Sequence, residues 1–272
     1  RKVLLSLLCL STAVVVSAQQ LGTEEYKGFK KYIAAVDEYV PAPGQFINTL
    51  PKYEDGDNAA VMVAKCTAAL ANNKGGMVCL GAYGGYVTFH FDHSIANVEG
   101  QKDFYIKGNS FYSDIPAYKE LKGGSSEPGV VMVALDTNCN GVPDEDEWYE
   151  LAGSEYHNPM TQHGYEIHYS HPDGHQPVKD LTGILTDTLY IPWRDNIGGK
   201  GFVAKNMYHT QSYWPQWLDG EDVLTFRGTR LPKNGVDESR MGTYYVLYSY
   251  PWGYADNHPN DYADLCSFDI SW

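Results

Sequence analysis

The chain has 272 residues and a formal charge of −14, from 20 basic and 34 acidic side chains. An acidic surface without a Lys/Arg patch excludes nucleic acid and anionic membranes as partners, because both are polyanions. The length allows one large β domain or two small ones, and 22 Tyr with 6 Trp supply amphipathic rings for a broad β surface or a recognition face.

Residues 1–18, RKVLLSLLCLSTAVVVSA, have the build of a signal peptide. Arg1 and Lys2 form the basic end, Val3 to Val16 the apolar stretch, and Val16-Ser17-Ala18 a small-residue cleavage site before Gln19. The run is too short for a spanning helix, and Cys9 lacks the preceding small residues of a lipidation site. The expectation is an exported protein, periplasmic, cell-surface or secreted, with no transmembrane segment in the mature chain. Cleavage would remove Arg1 and Lys2 and so take the charge from −14 to −16. Cys66, Cys79, Cys139 and Cys266 would remain. Four cysteines allow three full pairings, which sequence leaves open, and at most one bridge is expected in a domain this large.

Residues 19–52 read as a polar lead-in with weak helical periodicity over Tyr26–Val40, ended by Pro41 and Pro43. Residues 53–272 read as one calcium-bearing β-sandwich domain. Its helix is capped by Asp57 or Asn58, carries Val61, Met62, Lys65, Cys66, Ala69 and Leu70 at helical spacing, and closes at Gly75-Gly76. Short strands are predicted at Met77–Leu80, Tyr86–Phe91, Asp103–Lys107, Val130–Leu135, Trp148–Leu151, Tyr165–Ser170, Thr188–Trp193, Val223–Gly228, Tyr244–Tyr250 and Ser267–Ile270. Turn residues punctuate every gap. The fold class is mainly β: a two-sheet β-sandwich or jelly roll with one packed α-helix near the N-terminus.

The most informative stretch is DTNCNGVPDEDE, from Asp136 to Glu147. It matches the calcium-loop pattern D-x-[DN]-x-[DN]-G-x5-E. Calcium takes six to eight oxygens, which such a loop offers at alternate residues. Asp136, Asn138 and Asn140 would supply side-chain oxygens, Val142 its carbonyl, Asp144 a contact through water, and Asp146 or Glu147 the closing carboxylate. Strand-like flanks make this a metal-closed turn between two strands rather than an EF-hand, and the ion structural rather than catalytic.

A second region pairs rings with Asx and His groups: Tyr213, Trp214 and Trp217, then Trp252, Tyr254, Asp256, Asn257 and His258. Rings beside amides and carboxylates suit a sugar or another flat, partly polar ligand. The same rings also serve as core filler. His157, His163, His168, His171 and His175 crowd one stretch without a metal-binding spacing, and His90 and His93 read as structural. No G-x-S-x-G elbow, G-x-G-x-x-G or P-loop is present.

Several segments taken in order, among them APGQFINTLP, LGAYGGYVTFHFDHSIANVEG, DFYIKGNSF, SSEPGVVMVALDTNCNGVPD, EWYELAGSEY, QSYWPQW and WGYADNHPND, resemble a family of exported cell-surface proteins of Bacteroidota-type bacteria. Members often carry PKD-type modules, and the resemblance spans residues 40–272. It implies an exported, calcium-bearing β-sandwich with a ligand- or partner-binding task. Some relatives are similar to accessory proteins beside outer-membrane corrinoid (cobalamin) uptake systems, which implies a corrinoid-like nutrient and such an uptake system as partner. The chain departs from the pattern in lacking an acylation cysteine and in an extra acidic residue within Asp144–Glu147. The expectation is therefore a non-catalytic binding protein for a glycan, another small molecule or a corrinoid-like nutrient. The alternatives are a glycan-active hydrolase with a carboxylate pair, and an adhesion or scaffold module.

Overall fold

The computed structural model describes residues 3–9, 18–20, 29–113, 122–240 and 244–272. The strands begin with β1 Val3–Cys9, β2 Ala18–Gln20, β3 Ala35–Val40, β4 Gly85–His90 and β5 Phe104–Ile106. They continue with β6 Gly123–Gly124, β7 Val130–Leu135, β8 Trp148–Glu150, β9 Gln162–Ser170 and β10 Leu185–Asp195. The last are β11 Lys200–Asn206, β12 Val223–Arg230, β13 Gly235–Asp237, β14 Tyr245–Tyr248 and β15 Ser267–Phe268. They form antiparallel sheets in the orders β3-β4-β1-β7-β8, β11-β10-β9-β12, β13-β14-β6 and β15-β5-β2.

Two apolar cores explain why these segments take these shapes. In the first, Val87 and Phe89 of β4 and Val131 and Val133 of β7 face Phe104 and Ile106 of β5 and Phe268 of β15. Phe104 stacks on Phe268 at 5.3 Å. Half-buried Tyr105 between buried Phe104 and Ile106 shows the two-residue period of a strand with one face inward, whereas β7 is mostly buried along its length, as a continuous apolar run in an interior strand should be. Helix α1, Ala59–Leu70, closes this core with Met62, Cys66 and Leu70. Asn58 caps it by accepting from Val61 N, and Asn72 and Asn73 turn left-handed beyond its end. The second core gathers Tyr165, Ile167 and Tyr169 of β9, Ile191 of β10 and Phe226 of β12 around Tyr83, Tyr213 and Trp214. The cores meet at Gly84, where φ is +96° and an added Cβ would lie 2.2 Å from Phe226 Cβ. Only glycine fits both that backbone and that approach.

Three expectations change. Residues 35–40 of the predicted helical stretch form an edge strand on β4, with Val36 and Tyr39 inward across a register shift between Val36 and Glu38; residues 26–28 lie outside the described residues. Met77–Leu80 makes a bridge at Val78 and no strand, because Cys79 N bonds Leu50 O in the lead-in instead of a ladder. The lead-in is part of the fold: Ala42 N donates to Leu80 O, and Asn48 Nδ2 donates to Trp214 O. No helix among the described residues is long and apolar enough to cross a membrane.

The stretch expected to be a leader contributes a strand to the first sheet. Its residues 10–17 lie outside the described residues, but the backbone of β1 pairs antiparallel with both β4 and β7. The register sets Leu5 opposite Phe89 and Val133, and Leu7 opposite Val87 and Val131. Cleavage after Ala18 would leave two strand edges facing each other across an empty slot, and unpaired edges recruit other strands. A chain begun at Gln19 is therefore expected to lose more than the about 2–5 kcal/mol of a single core truncation, and to regain its melting temperature on addition of a Val3–Cys9 peptide. Equal melting of both chains, unmoved by the peptide, would show that β4 and β7 do not need this strand.

Candidate metal loop and ligand cleft

The loop from Asp136 to Glu147 joins β7 to β8, and Ala134 opposite Trp148 brings its two ends together. Asp136 Oδ1 accepts from Asn140 N at 3.1 Å and Oδ2 from Gly141 N at 3.0 Å. Gly141 takes a φ of +82°, which lets the chain double back. Asn138 Oδ1 accepts from Asn140 N and Asn140 Oδ1 from Val142 N, so each amide holds its own turn. The amide nitrogens of Asn138 and Asn140 both donate to Asp144 Oδ2, at 2.5 and 2.9 Å. Glu147 is 2% exposed. Its Oε1 accepts from Thr137 Oγ1 and N, and Oε2 from Asp144 N. These bonds, the Thr137 hydroxyl first, hold its carboxyl below the usual range.

The donor set fits calcium and does not fit zinc. Among the described residues no three His, Cys, Asp or Glu groups gather as a metal cluster. An ion here would need amide and backbone oxygens, including the Val142 carbonyl, beside the carboxylates of Asp136, Asp144 and Glu147. The two amide nitrogens at Asp144 provide the positive ends that a cation would provide, and rotating both amides would turn oxygens inward. Asp146 is exposed and makes none of these contacts, so Glu147 is the inward carboxylate.

The aromatic and Asx residues do not form one recognition face. Tyr213 and Trp214 are wholly buried in the second core, where Trp214 Nε1 donates to Leu218 O. Trp217 is stacked against Tyr39 and Tyr53. Tyr254 is buried beside Val130 and Leu231, and its hydroxyl accepts from Glu155 N. Trp252 alone is exposed, at 40%, and packs edge-on to Trp272. Asp256, Asn257 and His258 are buried latches. Asp256 Oδ1 accepts from Asn109 N and Ser110 N, Asn257 exchanges two bonds with the Tyr250 backbone, and His258 Nδ1 meets the Tyr112 hydroxyl at 2.6 Å. The physical reason is that a buried turn must satisfy its backbone polar groups, and Asx side chains do so at close range.

Among the described residues Cys66, Cys79, Cys139 and Cys266 are free thiols, the first two and Cys266 buried and Cys139 exposed. Burial pushes the Cys79 thiol up to about 12 and the Cys266 thiol up to about 11, far from reactive thiolates. The crowded histidines are dispersed: His163 on Tyr156 O, His168 on Thr225 and Glu166, His171 against Trp214. His90 and His93 pair with Asp37 and Asp92.

His175 marks a feature that the sequence did not announce. Its Nδ1 lies 2.9 Å from Asp173 and its Nε2 3.1 Å from Asp187, and these two carboxylates raise its pKa, Asp187 first. It lines a cleft of about 480 Å³ between the loop that follows β9 and the β10–β11 ribbon, with Pro172, Pro177, Thr186, Tyr190 and Lys205. The sequence signal was available, as polar residues alternating along β10, but β11 itself was not predicted. Comparison with family models and with curated proteins finds no match to this chain.

Burial raises Asp256 to about 8, and its Oδ2 has no hydrogen-bond partner among the described residues. A carboxyl whose folded pKa is raised stabilises the fold below its unfolded value of about 3.9, and that contribution is lost as pH rises through the folded value. Asp256→Asn keeps an acceptor for Asn109 and Ser110 without the charge. The wild-type melting temperature is expected to fall relative to D256N between about pH 4 and 8. Parallel pH profiles for the two proteins would contradict this.

Proposed function

We propose that the protein is a non-catalytic, exported binding module: a β-sandwich whose 136–147 loop holds a structural calcium ion and whose cleft takes a sugar-sized ligand. The cleft is the observation that carries the reading. Ligand sites are concave and about 300–1,000 Å³, and the about 480 Å³ here suits one or two sugar rings. A corrinoid is several times larger than a sugar ring and would be gripped only by an edge, so a glycan is the better fit of the two ligands the resemblance and the sequence suggested. Tyr190, half-buried, offers a ring, and Thr186 and Thr210 offer hydroxyls. Export is supported by the leader's composition and by the resemblance.

The hydrolase alternative needs two carboxyl groups free to act on opposite sides of a glycosidic bond. Asp187, in the cleft wall, and Asp173, at its exposed rim, are both bound to one imidazole, and Asp187 also accepts from Val178 N and Leu189 N. The adhesion alternative has one observation in its favour. Leu181, Ile184, Met207 and Tyr208 are exposed near the open end of the β10–β11 ribbon, where Met207 N bonds Ile184 O, and clustered apolar exposure marks protein contacts.

Calcium is tested by melting with calcium and with chelator. A ligand at a hundredfold excess over Kd adds about 2.7 kcal/mol, which in a domain of this size is about 5–10 °C at roughly 2–4 °C per kcal/mol. Glu147→Gln is expected to abolish that calcium-dependent rise. The ligand is tested on a glycan array, where Tyr190→Ala is expected to erase the wild-type signals. An array blank for the wild-type protein would remove the sugar reading, and capture of a protein partner lost on Met207→Glu would put adhesion in its place.

A further inference from the structure

The cleft wall carries a lysine that makes no ion pair among the described residues, in a protein that is otherwise strongly acidic. Lys205 of β11 lies opposite Asp187 of β10 in the ladder. Its Nζ sits 4.7 Å from the centroid of Tyr190 and 5.8 Å from that of Tyr213. Among the described residues its ammonium makes no ion pair, and its contacts are the two rings. Asp187 has its own partners. That carboxylate is buried, faces His175, and spends its Oδ1 on His175 Nε2, Val178 N and Leu189 N. Asp173, the other acid nearby, is at the exposed rim and is bound to His175 Nδ1. Lys205 is half-buried, held over rings at the wall of a concave site, with a hydrogen-bonding capacity that no side chain fills.

We propose that the cleft selects a ring ligand bearing one carboxylate, a uronic-acid-type sugar, with Lys205 pairing the carboxylate and Tyr190 lying against the ring. The proposal rests on the reading of the cleft as a sugar site and adds the charge. One ammonium without an arginine fork matches a single monoanion; a phosphate dianion calls for more converging donors than this wall presents. A carboxylate in a partly dry cleft gains more from one ammonium than it would in open water. The aromatic wall binds the apolar face of a pyranose, and the cation already resting on it pre-positions the charge.

The test is calorimetry with methyl glucuronide and its neutral twin, methyl glucoside, on the full chain. The wild-type protein is expected to bind the glucuronide at least about tenfold more tightly, a difference of about 1.4 kcal/mol. Added salt should weaken the glucuronide and leave the glucoside unchanged. Lys205→Met is expected to bring the glucuronide down to the glucoside's affinity, and Lys205→Arg to keep most of the preference. The salt arm needs no variant, so misfolding of Lys205→Met would not shelter the proposal. Equal binding of both sugars without a salt effect would overturn the charge assignment and leave the sugar site standing. Binding of neither sugar, by a protein that melts cooperatively, would overturn both.

Discussion

Most of this fold depends on one requirement: backbone N–H groups in long turns need acceptors, and acidic or amide side chains supply them. Asp136 and Glu147 hold the 136–147 loop, Asp103 joins Val98 N to Ile270 N, Asp195 bonds Ile197 N, and Asn48 ties Gln216 N to the lead-in. A sheet protein with one helix has many such turns, and each buried donor left open costs about 1–3 kcal/mol. The charge of −14 is thus partly structural. Many carboxylates that look like surface are inside the turns, accepting from the backbone.

That requirement explains what the sequence disclosed and what it concealed. The Val-rich apolar run Val130–Leu135 was legible to the residue, and the helix was legible too, with Asn58 as one of the two caps expected and an end at Leu70 that falls short of Gly75-Gly76. The Asp136–Glu147 pattern identified its own turn, because its spacing is fixed by the geometry of the bend. By contrast, β11 reads KGFVAKN, where lysines and glycine blur the alternation, and β13 is too short to show a period. Tyr39, in a stretch that looked helical, became strand because β4 offered an edge and the first core offered space.

The ring-and-Asx region misled for the same reason. Tyr254, Asp256, Asn257 and His258 carry recognition-like chemistry, yet Asp256 and His258 latch a buried turn against residues 109–112, Asn257 closes that turn on Tyr250, and Tyr254 bonds Glu155. A latch and a binding face use the same side chains. Only the direction of the backbone separates them, and that depends on contacts far along the chain. The cleft was hidden in the opposite sense. Lys205, Tyr190 and His175 are unremarkable one by one, and they become a site only because β10 and β11 pair and the loop after β9 folds over them.

The placement of an ammonium inside an acidic protein also has a physical consequence for any anion that binds there. Surface carboxylates lying more than a Debye length away, about 8 Å at physiological salt, are largely screened, so the net charge slows approach without setting affinity. Within the cleft the balance is local: His175 is held between two carboxylates, and Lys205 rests over two rings without one. A cation–π contact stabilises an ammonium by about 0.5–2 kcal/mol, yet a ring offers only a quadrupole where a carboxylate offers a full charge. On the proposed reading of the cleft as a ligand site, selectivity would follow from the anion that Lys205 can pair rather than from the shape of the walls.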